Sequence, residues 1–118
     1  MEETLRSAIH YKNVRFFNCS LNESHPTVPT YYGRLYEAKF LLGAVAASMA
    51  RNHKVGYLAD YPIYGTIANI NAFAIGASFV DPRVKIYLHW STKKNQDWHQ
   101  KMAEEEVLVV SGHDLVKP

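Results

Sequence analysis

The chain has 118 residues, 47% of them hydrophobic and 20% charged, and a net charge of +2. That length supports one core of the usual size, about 100–150 residues to a domain, and the composition excludes disordered tails and collagen-like repeats. Thirteen basic residues against eleven acidic ones build no dense positive field, so nucleic acid is not an expected partner.

Cys19 is the single cysteine, which rules out an intrachain disulfide and a cysteine-rich metal site. Residues 1–11 show no basic start followed by an apolar stretch and do not read as a secretory signal. The longest apolar tract, 40–50, is about half the roughly 20 residues a bilayer requires. Location is left open: cell surface or periplasm if the parent protein carries an export signal, cytoplasm if it does not.

Residues 4–10 suggest a short helix, and 14–19 (VRFFNC) a strand rich in β-formers, in which Cys19 would pack. From 20 to 30 the composition turns to Ser, Asn, Thr and Pro. Pro26 and Pro29 interrupt regular hydrogen bonding there, marking a linker. Over 32–51, Leu35, Ala38, Leu42, Val45, Ala46 and Met49 recur at three- and four-residue steps, which predicts a long helix with those residues buried. Gly43, Ala44, Ala47 and Ser48 would let it lie close to a sheet, and Asn52 and His53 would end it.

Residues 55–60 predict a buried strand stopped by Tyr61-Pro62. A second helix follows to about Phe79, with Thr66 as N-cap and Ile67, Ile70, Phe73, Ala74 and Ala77 inward. Asp81-Pro82 marks a turn. A strand over 84–90 then sets Val84, Ile86 and Leu88 on one face and Lys85, Tyr87 and His89 on the other. A weak helix at 97–105 and a strand at 107–111 complete the order. Alternating helices and apolar strands predict an α/β fold, an open parallel sheet with flanking helices.

Ligands bind open parallel sheets beyond the carboxyl ends of the strands. That rule selects three loops, 60–65, 90–92 and 112–114, which bring aromatic faces, two carboxylates and backbone donors suited to a ring bearing hydroxyl groups. Asp60 and Asp114 either accept hydrogen bonds from sugar hydroxyls or cap the helices that follow. Tyr61 and Tyr64 form an aromatic loop. Trp90 either stacks on a ligand ring or packs on a helix, and His113 lies on the same edge. The six histidines show no zinc-like spacing, so no metal or cofactor is expected. Lys93-Lys94 suits a solvated surface. Nucleophile, base and oxyanion donor cannot be assigned together, so no enzyme is expected.

The runs YGRLYEAKFLLGAVAA (32–47), KVGYLADYPIYG (54–65), INAFAIGA (70–77), DPRVKIYLHW (81–90) and SGHD (111–114) resemble, in order and spacing, the basic membrane protein family, also called PnrA-like or Med-like. The resemblance implies a substrate-binding protein of an ABC importer with a type I periplasmic-binding-protein fold. Characterised members bind purine nucleosides and pass them to an ABC permease. Members are longer than this chain, so the lobe would be incomplete: 1–20 ends a first lobe, 21–31 is a hinge, and 32–118 belongs to a second lobe. Carried over onto this sequence, Tyr61 and Gly65 line the cleft, Trp90 takes the place of an aromatic that stacks on a base, and Asp114 lies near a ribose. The alternative is a cytoplasmic ligand-sensing regulatory domain of the same fold. An open sheet edge at 14–19 further predicts a homodimer or strand exchange.

Overall fold

The computed structural model describes residues 1–20, 25–94 and 96–112, and the chain divides into two units, Met1–Arg34 and Leu35–Pro118. In the first, helix α1 spans Glu2–His10 and buries no residue. Its ends suit the helix dipole, with Glu2 and Glu3 in the first turn and His10 in the last. Strand β1 (Asn18–Cys19) pairs in parallel with β2 (Thr30–Tyr31), register Asn18 to Thr30 and Cys19 to Tyr31. The strand expected over 14–19 is therefore two residues long. A strand needs a partner for its backbone groups, and only 18–19 find one; Val14 and Phe17 are exposed. Cys19 is exposed as well, where packing was expected. His25 and Val28 form an isolated antiparallel bridge within the proline-rich segment, and Val28 is fully buried.

The second unit is the predicted α/β arrangement. Helix α2 (Leu35–Met49) leads into strand β3 (Lys54–Ala59), followed by α3 (Tyr64–Val80), β4 (Lys85–Trp90), α4 (Trp98–Glu104) and β5 (Val109–Ser111). The sheet order is β4-β3-β5, every pair parallel, with Val55 opposite Ile86 on one side and Val109 on the other. Val55, Tyr57 and Ala59 on one face meet Ala46 and Ala50, from α2 and its end, and Phe73 from α3; Ile86, Trp90 and Val109 pack against the same cluster. On the other face Met102 of α4 sits against Gly56. The connections β3-α3-β4 and β4-α4-β5 thus cover opposite faces, and the chain leaves the sheet in opposite directions after β3 and after β4.

Which faces the helices bury differs from the periodicity. Of the stripe expected on α2, only Ala46 is buried; Leu35, Leu42, Val45 and Met49 are exposed, and the inward face is Gly43, Ala46 and Ala47. On α3, Phe73 and Ala77 are buried as expected, joined by Gly65, Asn69 and Gly76, while Ile67 is exposed. The reason is steric. Both helices are apolar nearly all round, so hydrophobicity cannot choose a face, and close approach of their backbones chooses the small side chains. Thr66 is not the N-cap: hydrogen bonding begins with Ile67 N–H to the Ile63 carbonyl, so Ile63 takes that place and Thr66 falls inside the first turn. Asp97 does cap α4, accepting from the His99 and Gln100 backbone N–H groups. Val107 is buried between the turn at 105–106 and β5, outside the strand expected to begin there.

At the amino ends of the strands, His53 holds a left-handed φ of 61° and its ring donates to Asp81 Oδ2. The Arg83 backbone N–H donates to Asp81 Oδ1 at 3.0 Å, and Lys85 N–H to the His53 carbonyl at 2.7 Å. The bond from His53 holds the Asp81 carboxyl below its ordinary value, aided by Arg83 and the charge on the histidine and opposed by burial. A depressed carboxyl stabilises the fold fully above the ordinary aspartate range, and that contribution is lost as pH falls through the lowered folded value. Urea midpoints should therefore favour the native chain over Asp81→Asn at neutral pH, with the gap closing in acid below about pH 4. A gap independent of pH would remove this reading.

Candidate functional site at the carboxyl ends of the strands

Asp60 directly follows β3, and Ser91 and Thr92 follow β4. The register sets Ala59 opposite Trp90, so the residues just beyond are neighbours by construction. Ser91 N–H donates to the Ala59 carbonyl at 2.8 Å and continues the ladder one step past the strand. Ser91 Oγ then donates to Asp60 Oδ1 at 2.7 Å, and Thr92 Oγ1 to the Asp60 carbonyl at 3.1 Å. Asp60 is only 8% exposed. Burying a carboxylate is costly without partners; the Ser91 hydroxyl is one, while the Thr92 hydroxyl bonds to the main chain of the same residue. The three residues lie between β3 and β4, where the chain turns to α3 on one face and to α4 on the other, the place at which open α/β sheets bind their ligands.

The other expected site residues are distributed around this point. Tyr61 and Tyr64 are 63% and 73% exposed, and with Ile63 they form an open aromatic edge above α3. Gly65 is buried in the first helical turn and offers backbone only. Trp90, half-buried, packs on the core cluster under α2 and α3 beside Ala59. His113 and Asp114 lie outside the described residues; β5 runs as far as Ser111, opposite Tyr57. Asp60, the aromatic loop and Trp90 are thus gathered on one rim. Sequence reasoning named Ser91 and Thr92 as part of a loop but missed that both hydroxyls bond to Asp60. Two adjacent hydroxyl residues just past a strand, beside a neighbouring strand that ends in aspartate, were the available signal. Lys39 of α2 was also missed; its ammonium lies 5.4 Å from the centre of the Tyr57 ring.

The arrangement offers aromatic surface and hydrogen-bonding groups at the carboxyl ends of two strands, the chemistry of holding a polar ring. A sequence model of the Bmp family, described as ABC transporter substrate-binding protein, PnrA-like, matches residues 2–115. The chain belongs to the Bmp family. Among its relatives, a purine-binding protein of Brucella abortus (strain 2308) is 24% identical over 118 residues, covering 96% of this chain and 34% of that protein. A Haloferax volcanii protein, provisionally named an ABC transporter glucose-binding protein, is 30% identical over 80 residues, covering 68% of this chain and 20% of that protein. The matched segments therefore cover about a third and a fifth of the lengths of these two relatives.

Proposed function

We propose that this chain forms one wall of the ligand cleft in a Bmp-family substrate-binding protein and holds a nucleoside or similar small ligand, without converting it, for an ABC permease. The observation that carries this reading is the Asp60–Ser91–Thr92 cluster at the parting of the β3 and β4 loops, flanked by exposed Tyr61 and Tyr64. The name of the Brucella relative supports a purine-bearing ligand. In this reading Asp60, Tyr61, Tyr64, Gly65 and Trp90 meet the ligand, joined by His113 and Asp114. Residues 1–20 close a first lobe, 21–31 are hinge and 32–118 second lobe. The family's transport description favours this reading over a regulatory domain.

Titration calorimetry of the chain against a nucleoside panel tests it, with the ligand recovered afterwards. Heat of binding with intact nucleoside is the expected result. Silence across the panel with clear binding of an unrelated ligand class would remove the nucleoside claim, and recovered base or free sugar would remove the claim of no conversion.

A further inference from the structure

Helix α3 carries no charged residue along its 17 positions, yet one side of it is open: Ile75 is 59% exposed and Phe79 81%, with Asn71 and Ser78 exposed beside them. A helix without a charged face belongs inside a protein or an assembly. Tyr36, Phe40 and Leu41 of α2 join Ala72 and Ile75 of α3 around an open apolar groove of about 460 Å³, with Glu37 as its charged member. Phe40 also meets Phe79, ring centres 6.3 Å apart. The exposed shares of Tyr36, Leu41, Ile67, Ile75 and Phe79 amount to roughly 600 Å² of surface, so two such faces together would bury about 1,200 Å², above the roughly 1,000 Å² that a specific interface needs. Scattered apolar side chains are ordinary on a surface, but a continuous patch of this size marks a contact.

We propose that this face receives a second copy of the chain about a two-fold axis, with the two α3 helices antiparallel. The α3 stripe that borders the groove is Ala68, Ala72, Ile75 and Phe79, at steps of four, three and four, which share one side of a helix. Its first half is small and its second half large. An antiparallel copy reverses that order, so Ala68 lies opposite Phe79 and Ala72 opposite Ile75, a large side chain meeting a small one at every level. A parallel copy would instead set Phe79 against Phe79 and Ala68 against Ala68. Two-fold contact also lays a surface against itself, so a charge near the axis meets its like, and α3 has none to bring. The other exposed stripe, Leu42, Val45 and Met49 of α2, borders Val109–Ser111 at the edge of the sheet, a place suited to further chain rather than to a copy. The proposal stands apart from the ligand reading, because it uses the outward side of two helices and none of the rim residues.

Sedimentation equilibrium of the chain from micromolar to millimolar concentration reads the association, and far-ultraviolet circular dichroism checks that each variant is folded. The native chain is expected to form a dimer, and Ile75→Lys, which brings two ammonium groups together near the axis, to stay monomeric. Ala68→Phe sets large against large and Phe79→Ala small against small, so each should weaken the dimer about tenfold. The double variant exchanges the sizes and should return to within about threefold of the native affinity. Ile75→Lys and Phe79→Ala alter exposed side chains and test the proposal even if Ala68→Phe does not fold. A native chain that is monomeric at every concentration overturns the proposal and leaves the face to another segment of a longer protein. A dimer that Ile75→Lys leaves intact overturns it as well; Leu42→Lys and Phe17→Asp then tell whether the copies meet at the α2–β5 stripe or at 14–19. Weakening in both single variants without recovery in the double overturns the antiparallel pairing.

Discussion

Phe73→Ala is expected to remove about 3–5 kcal/mol of folding stability, the range for emptying a large buried aromatic site. Phe73 is fully buried and meets the equally buried Tyr57 edge-on, ring centres 4.9 Å apart. It is the large α3 side chain in the cluster that includes Val55, Tyr57 and Ala59 of β3. A domain of this size has about 5–15 kcal/mol in total, so the variant should stand near its unfolding threshold. Urea unfolding followed by tryptophan fluorescence measures the loss, because Trp90 packs on the same cluster. Phe73→Leu fills part of the volume and should lose markedly less. A cost below about 1 kcal/mol for the alanine variant would mean that α3 does not rest on the sheet through this ring.

The same contact reaches function through α3. The first turn of that helix carries Tyr64 and Gly65, and the loop before it carries Tyr61. If Phe73 anchors the helix, the Phe73→Leu chain should show shifted resonances at both ends of α3, at 61–65 and at its C-cap Asp81.

Strand and helix order in the second unit was legible because each strand is a short apolar run cut off by a backbone restriction. Tyr61-Pro62 after β3 and Asp81-Pro82 before β4 are such punctuation. The rim was legible for the same reason: in a parallel sheet, knowing where strands end tells where loops gather. Periodicity did not reveal the buried faces of α2 and α3, since Leu42, Val45 and Met49 are as apolar as anything inside. Residues 14–19 show the converse failure. Their composition favours a strand, but pairing is a property of two segments, and the partner at Thr30–Tyr31 is only two residues long. The bonds from Ser91 and Thr92 to Asp60 depend on cross-strand register, about which local sequence says nothing.

Register also governs how α2 meets α3, and there the consequence is large. A Cβ on Gly43 would lie 2.0 Å from the Phe73 carbonyl oxygen, and one on Gly76 would lie 1.9 Å from the Phe40 carbonyl oxygen. Each glycine thus faces the other helix's backbone, which cannot rotate aside as a side chain does. Gly43→Ala or Gly76→Ala must push the helices apart. Alanine gains about 1 kcal/mol of helix propensity, while overpacking against rigid backbone costs about 1–3 kcal/mol; an approach of about 2 Å puts each change at the upper end, a net loss of up to about 2 kcal/mol. The double variant should lose clearly less than the sum, because the separation forced by the first Cβ makes room for the second. Gly33→Ala, where an added Cβ meets nothing within 4 Å, is the control and should change stability by no more than about 0.5 kcal/mol. Urea midpoints of these four chains decide the matter. Strict additivity, or tolerance of both single changes, would show that the two helices do not cross at the glycines.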